Sequence, residues 1–481
     1  MSTTRRFFLK SVAGAAAGAV ISPKSSGQAE SFSPVVGLHL AVGNKRPNIL
    51  YLNSHDTGRF TSPYGHRAPT PNLQRLAQDG VCFTQAHCAA PTCSPSRASL
   101  LTGQCPHNNG MLGLAHRGFR LHDYTRHILH TLRREAGYHA ALVGLQHIAP
   151  DPEVIGYDHV DKIPGNHVED VVPAAVRFLR SAPAQPFWLE VGFHETHRVY
   201  RPAGRDDDPR YVRPPEPMPD VNATRQDMAA FYATLRALDG GIGEILAALE
   251  TTGLAQNTLV ISTTDHGIAF PEMKCNLYDA GMGVHLLMRG PGGFYGGKIC
   301  DALISHIDVF PTICDMLEIP RPDWLQGKSF LPVVRGHQEE INDAIFAEVN
   351  YHASYEPMRA VRTKQWKYIR RFGTYRHPVL PNCDDGLSKT YWLKNGWAEQ
   401  VTAVEELYDL TFDPSERNNL ADDLSRKALL DEMRHMLRAW MQTTSDPLLT
   451  GAVKAPPGAQ INPPDQVSPT DPPVIVPLVP G

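Results

Sequence analysis

The 481 residues contain no internal repeat, no zinc-finger spacing of cysteines, no P-loop and no dinucleotide-binding glycine fingerprint. Those absences exclude a solenoid and the common nucleotide-binding modules. Cysteine is scarce: eight in a chain this long cannot form a disulfide scaffold, and Cys275, Cys300 and Cys314 read as small core residues. Charge of one sign is lacking too. Forty-six Lys and Arg against 50 Asp and Glu leave a formal net charge of −4, so no global field attracts nucleic acid or an anionic membrane. What remains has the length for one large domain plus a smaller one, with a substantial buried core.

The N-terminus carries Thr4-Arg5-Arg6-Phe7-Phe8-Leu9-Lys10 ahead of an alanine-rich apolar run over 12–21. A basic start followed by an apolar segment too short to span a bilayer reads as an export signal. The paired arginines resemble a bacterial twin-arginine signal, so the expectation is a signal over 1–29, cut near Ala29, and a Ser/Gly-rich linker over 30–45. Such a chain would be handed folded to the twin-arginine export machinery and delivered to the periplasm or the medium. A disordered basic tail is the rival reading.

Between 46 and 340 short apolar runs alternate with helical patterns. Strands are expected over 48–52, 140–143, 187–193 and 258–264, and helices over 72–79, 121–136, 168–181, 227–250 and 305–317. Polar residues follow each strand: His55 and Asp56, Gly144 to His147, His194 to His197, and Asp265 and His266. In an open α/β sheet the carboxyl ends of parallel strands are where ligands sit. His194 and His197 have a zinc-like spacing, but no third ligand lies nearby in sequence. A smaller region over 341–447 opens with a strand from Ala344, continues as a hairpin over 359–371 and closes with a helix over 427–442. The tail over 448–481 is Pro-rich and reads as unstructured.

One stretch stands apart, C-A-A-P-T-C-S-P-S-R-A-S-L-L-T-G from Cys88 to Gly103. Pro95 suits the first turn of a helix, Ser94 or Ser96 is a candidate cap, and residues up to Leu101 continue it. Cys93 would then lie at a helix N-terminus beside Arg97, where an anion is favoured and a thiol is easy to ionise or modify.

Cys93-Ser94-Pro95-Ser96-Arg97 with the later Thr102-Gly103 resembles the signature of the type I sulfatases. The resemblance runs from about Pro47 to Leu420. It includes Asp265-His266-Gly267, Lys274 before Leu277-Tyr278 and Gly281, the His306/Asp308/Pro311-Thr312 pattern, and Glu406 to Leu410 with Asp413-Pro414 and Asn419-Leu420. It implies an alkaline-phosphatase-like α/β fold: a large mixed, mostly parallel sheet flanked by helices, with a smaller C-terminal α+β domain. It also implies a formylglycine made from Cys93 by a formylglycine-generating enzyme, and a divalent metal, calcium in the first instance. The metal would be held by Asp56, Asp265, His266, His55 and the oxygens at position 93. Arg97 would hold the hydrated aldehyde, Lys274 the sulfate, and His147 and His197 would move protons. His194 and His352 would contact substrate.

Two positions depart from that pattern. His55 stands where the family has an acid, and Leu145 where it has a sulfate-binding lysine. The Gly192-to-Arg198 run resembles the sulfamidase branch, which acts on N-sulfated glucosamine. The implied activity is hydrolysis of sulfate esters or N-sulfate groups on a sulfated carbohydrate. The alternatives are a phosphonate or phosphodiester hydrolase of the same fold, and a non-catalytic binder of sulfated glycans.

Overall fold

A computed structural model describes residues 46–478. The expected export signal and linker lie outside the described residues. Among those described, no helix is long and apolar enough to cross a membrane.

An eight-stranded sheet is built from β1 (Asn48–Ser54), β2 (Val81–Phe83), β3 (His139–Gly144), β4 (His159–Val160), β5 (Phe187–Gly192), β6 (Thr258–Thr264), β7 (Leu286–Arg289) and β8 (Lys298–Cys300). The spatial order is β4-β3-β5-β1-β6-β7-β2-β8. Only β7 runs against its neighbours; the remaining pairs are parallel. Every residue of β1 and β6 is buried, as strands covered on both faces must be. Side chains alternate between the two faces, so Ile49, Tyr51, Leu259 and Ile261 enter one apolar layer while Leu50, Leu52 and Val260 enter the other. On the second face the helix Val168–Arg180 packs against the long helix Asn222–Thr251. The approach is close at Gly241, where a Cβ would lie 2.6 Å from Val172 Cγ2.

Four further strands, β9 (Ile345–Tyr351), β10 (Tyr355–Arg362), β11 (Trp366–Arg371) and β12 (Glu405–Asp409), form an antiparallel sheet in that order. The helix Lys427–Thr443 covers one face with Leu430, Met433, Leu437 and Met441, a helical apolar stripe. The other face contributes Ile345, Ala347, Met358 and Ile369 to the core of the large sheet, so both sheets belong to one compact unit.

Three expectations change. The helix expected over 121–136 forms only from Ile128 to Ala136, because His127 caps it through Nδ1, accepting from Leu129 N at 3.2 Å. The helix expected over 305–317 starts at Val309, after a 3-10 turn in which Ser305 N donates to Asp308 Oδ2 at 2.8 Å. The Pro-rich tail is structured as far as it is described. Val453, Ala459 and Asn462 are buried, and Gln460–Ile461 pairs with Val474–Ile475. Proline lacks a donor but not apolar surface, and side chains of Tyr351, Arg117 and Lys389 bond the tail's backbone carbonyls.

Candidate active site

Strands β3, β5, β1 and β6 are adjacent and parallel, so the segments that follow them emerge along one edge of the sheet. That is why histidines and acids distant in sequence meet. His55 N donates to Glu195 O at 2.8 Å, and Asp56 N to Asp265 Oδ1 at 2.8 Å, tying the segments after β1, β5 and β6 together. Asp56 and His147 both have a left-handed backbone, φ 54° and 60°. Neither is glycine, and such strain concentrates where a side chain must be aimed. The Gly267 position admits no side chain, since a Cβ would fall 1.9 Å from Ala280 O. This close approach lets the chain turn back and bring Lys274 beside Asp56.

Cys93 starts the buried helix Cys93–Thr102, and its Sγ lies 3.3 Å from His266 Nε2 and 4.0 Å from Asp56 Oδ1. The cap position is Thr92, not Ser94 or Ser96. Both serines are engaged elsewhere: Ser94 Oγ accepts from Ala115 N at 3.0 Å, and Ser96 Oγ donates to the Asp265 carbonyl. Nor is the thiol easy to ionise. Burial pushes its pKa well above the usual value, and Asp56 and Asp265 add to the rise, opposed by Lys274. The helix N-terminus is there, but two carboxylates face it. Arg97 is fully occupied in ordering the site: Nε binds Asp265 Oδ2 at 3.1 Å and Nη2 binds the Ser54 carbonyl at 3.0 Å. Burial raises the Asp265 pKa, but His266 and Arg97 outweigh it and hold the acid at about 2.

Donor atoms of His55, Asp56, Cys93 and Asp265 lie within 4.8 Å of one another, all buried. Neither ring nitrogen of His55 has a hydrogen-bond partner among the described residues. Two carboxylates facing buried, unpartnered nitrogens fit a divalent cation. They fit calcium less well, because calcium takes oxygen ligands.

Lys274 Nζ lies 2.9 Å from Asp56 Oδ2, 2.8 Å from Asp384 Oδ2 and 3.3 Å from His197 Nε2. Burial lowers the lysine's pKa, yet Asp384 and Asp56 carry it well above the ordinary value, so it remains an ammonium. His197 donates from Nδ1 to the Arg198 carbonyl at 2.6 Å, which leaves Nε2 as an acceptor facing Lys274. His147 is held neutral, its pKa lowered by burial and then by Arg97. Its Nε2 lies 3.0 Å from His116 Nδ1, with the two rings stacked. His194 stands 5.2 Å from the His197 ring, and burial followed by His197 lowers its pKa to about 4. His352 is buried with Nδ1 unpartnered, its pKa lowered by burial and by the Lys274 charge. Leu145 contributes only its carbonyl, 3.5 Å from Arg97 Nη1.

Sequence reasoning missed two residues. Asp384 comes from a loop beyond the second sheet's hairpin, in N-C-D-D-G, which carries only a turn signal. His116 lies in a Gly- and His-rich loop whose composition was visible but whose destination was not. A separate cavity of about 1200 Å3, beside Arg59, Arg205 and Asp279, is lined by none of these site residues.

Comparison with known proteins gives a consistent result. Residues 47–319 match the sulfatase family model, and residues 271–379 match the model of the C-terminal region of N-sulphoglucosamine sulphohydrolase. Human N-sulphoglucosamine sulphohydrolase is 31% identical over 470 residues, covering 85% of this chain and 93% of that protein. An ulvan-active sulfatase from Formosa agariphila is 28% identical, covering 86% of this chain and 83% of its own. A solved 2-O GAG sulfatase shares the fold with a TM-score of 0.67 at 22% identity, covering 86% of this chain and 96% of that one. A family that generally uses a formylglycine and a divalent metal accounts for a cysteine at a helix start facing paired carboxylates. The chain belongs to the sulfatase family and is a sulfuric ester hydrolase.

Proposed function

We propose that this sulfatase releases sulfate from N-sulfated glucosamine in sulfated glycan fragments, with Cys93 converted to formylglycine by a formylglycine-generating enzyme. The observation that carries the reading is the contact between Lys274 Nζ and His197 Nε2, 3.3 Å, beside Cys93 and the Asp56–Asp265 pair. The match to the N-sulphoglucosamine sulphohydrolase C-terminal model supports the N-sulfate. The hydrated aldehyde would supply the nucleophile, and a divalent ion between Asp56, Asp265, His55 and His266 would lower its pKa and polarise a sulfuryl oxygen.

The remaining work falls to ordinary side chains. Lys274, kept cationic by two carboxylates, offsets charge on the sulfuryl oxygens. His197 Nε2, 3.3 Å from that ammonium, would pass a proton to the departing nitrogen. His147, neutral, accepts the proton that must leave before sulfate departs. Arg97 fixes Asp265, and His194 and His352 would contact the substrate. Near-complete burial of Asp56, Cys93 and Asp265 excludes bulk water and strengthens each of these interactions. With its twin-arginine-like start, the chain would act in the periplasm or outside the cell after export in folded form.

The test is sulfate release from N-sulfoglucosamine, glucosamine 6-sulfate and an aryl sulfate, with an aryl phosphonate in parallel. The expected result is a kcat/KM for the N-sulfate at least about tenfold above the others. Preference for the 6-sulfate or for the phosphonate overturns the assignment.

A further inference from the structure

The pocket between Asp56 and Asp265 is not an all-oxygen cage. Two imidazoles are built into it. His266 lies 2.9 Å through Nδ1 from the Gly267 carbonyl, and a carbonyl only accepts, so Nδ1 carries the proton. The lone pair is therefore on Nε2, which faces Cys93 Sγ at 3.3 Å and Asp56 Oδ1 at 3.4 Å. A backbone carbonyl that fixes the second nitrogen in this way is the usual support of a metal-ligating histidine. His55 is 2% exposed, and its Nε2 lies 3.2 Å from Asp265 Oδ2 and 3.8 Å from Asp56 Oδ1. Neither of its nitrogens has a hydrogen-bond partner among the described residues. Burying a ring with both nitrogens unpartnered is destabilising, and a cation at this point supplies what is missing.

We infer that this pocket holds a first-row transition divalent ion of the zinc or cobalt type in preference to calcium, through Nε2 of His55 and His266 and one oxygen each of Asp56 and Asp265. The inference rests on the reading of these residues as the enzyme's metal centre and adds the chemistry of the ion. Imidazole is a borderline nitrogen donor that suits zinc, cobalt and nickel, whereas calcium and magnesium take oxygen. Transition ions outbind calcium at most mixed sites, so the decisive quantity is how much of the preference His55 supplies.

The experiment uses the full chain with Cys93→Ser, so that no thiol contributes, stripped of metal and titrated calorimetrically with Zn2+ and with Ca2+. Co2+ is added separately and its visible absorption recorded. The expected result is Zn2+ binding at least about a thousandfold tighter than Ca2+, with a Co2+ band of the intensity of a low-coordinate, nitrogen-ligated site. His55→Asp should reduce the Zn2+/Ca2+ affinity ratio by on the order of a hundredfold, chiefly by tightening Ca2+. His55→Asn, which replaces the imidazole donor with an amide oxygen, serves if the aspartate variant does not fold. Equal affinity for the two ions, or a ratio unchanged in both variants, overturns the inference. Sulfate release by the converted enzyme is a separate readout. If N-sulfoglucosamine is not cleaved while the Zn2+ preference stands, the function assigned above fails and this inference survives.

Discussion

Lys274 and Asp384 form an ion pair at 2.8 Å that joins the segment after β6 to a loop of the second sheet's region. The acid is 14% exposed, and the lysine it faces is buried and already paired with Asp56. Burial raises the Asp384 pKa, but the Lys274 ammonium more than reverses this and keeps the carboxylate ionised. On the proposed mechanism Asp384 is thus a positioning residue, acting through the cation that would face the sulfuryl group. Asp384→Asn should lower kcat by about tenfold to a hundredfold with a smaller change in KM, because the weakened charge matters most as negative charge develops on the sulfuryl oxygens. Asp384→Glu should recover part of the loss. Separate kcat and KM values from sulfate release check this, and a variant with wild-type kcat contradicts the positioning role.

The contrast between Asp384 and Asp265 shows what the sequence can carry. Asp265 directly follows a β-branched run, so its place at a strand's carboxyl end could be read locally, as could those of Asp56, His147 and His197. Asp384 reaches the site through tertiary packing of the two sheets, which no periodicity encodes. The Cys93 thiol makes the same point. Its helix N-terminus was legible, but the two carboxylates that raise its pKa come from other strands. Arg97 was expected to hold the hydrated aldehyde at position 93, and its guanidinium binds Asp265 and the Ser54 carbonyl, contacts that sequence spacing does not encode. Local pattern located the site; long-range contacts set its charges.

Cys93→Ala tests the chemistry without disturbing the frame. The helix it begins is anchored by Arg97 to Asp265 and by Ser96 to the Asp265 carbonyl, and neither contact involves the thiol. The substitution should cost about 1 kcal/mol of stability or less and reduce sulfate release to background. Thermal unfolding and turnover on the same preparation provide the check, and retained turnover removes the mechanism. Peptide mass spectrometry across position 93 of the wild type should find the aldehyde.

Glu190, in β5, predicts a pH dependence of stability unrelated to turnover. It is fully buried, with Oε2 accepting from Tyr157 Oη at 2.7 Å and Oε1 without a partner among the described residues. Burial raises its pKa from 4.5 to about 7. The folded state therefore keeps a proton that the unfolded state releases as pH rises from 4.5 to about 7, and stability falls across that window. The loss is on the order of 3 kcal/mol and levels off above the folded pKa. Glu190→Gln keeps an acceptor for Tyr157 and removes the titration, so it should match wild type at the acid end and exceed it at pH about 8. Denaturant midpoints measured across the range decide the matter. A constant difference between the two proteins would show that Glu190 does not titrate there.

The tail is expected to support both fold and site. Tyr351 Oη donates to the Val453 carbonyl at 2.6 Å, Val453 N donates to Tyr355 Oη at 3.0 Å, and Asn462 N donates to the Ala353 carbonyl at 2.8 Å. These contacts flank His352. Arg117 reaches the tail three times, Nη1 to Asn462 Oδ1 at 2.6 Å and to the Gln460 carbonyl at 3.5 Å, and Nη2 to the Pro469 carbonyl at 2.7 Å. It is bonded in sequence to His116, whose ring meets His147. Ending the chain at Gly451 would strip hydrogen-bond partners from buried Tyr351 and release Arg117, at a cost on the order of 3 kcal/mol or more. Because His352 and His116 lose their support together, KM should rise several-fold, while kcat, which the proposed mechanism assigns to the more deeply buried Lys274 and Asp56, should change less. Denaturant unfolding and steady-state kinetics of the shortened chain make the comparison, and an unchanged unfolding midpoint would show the tail to be dispensable.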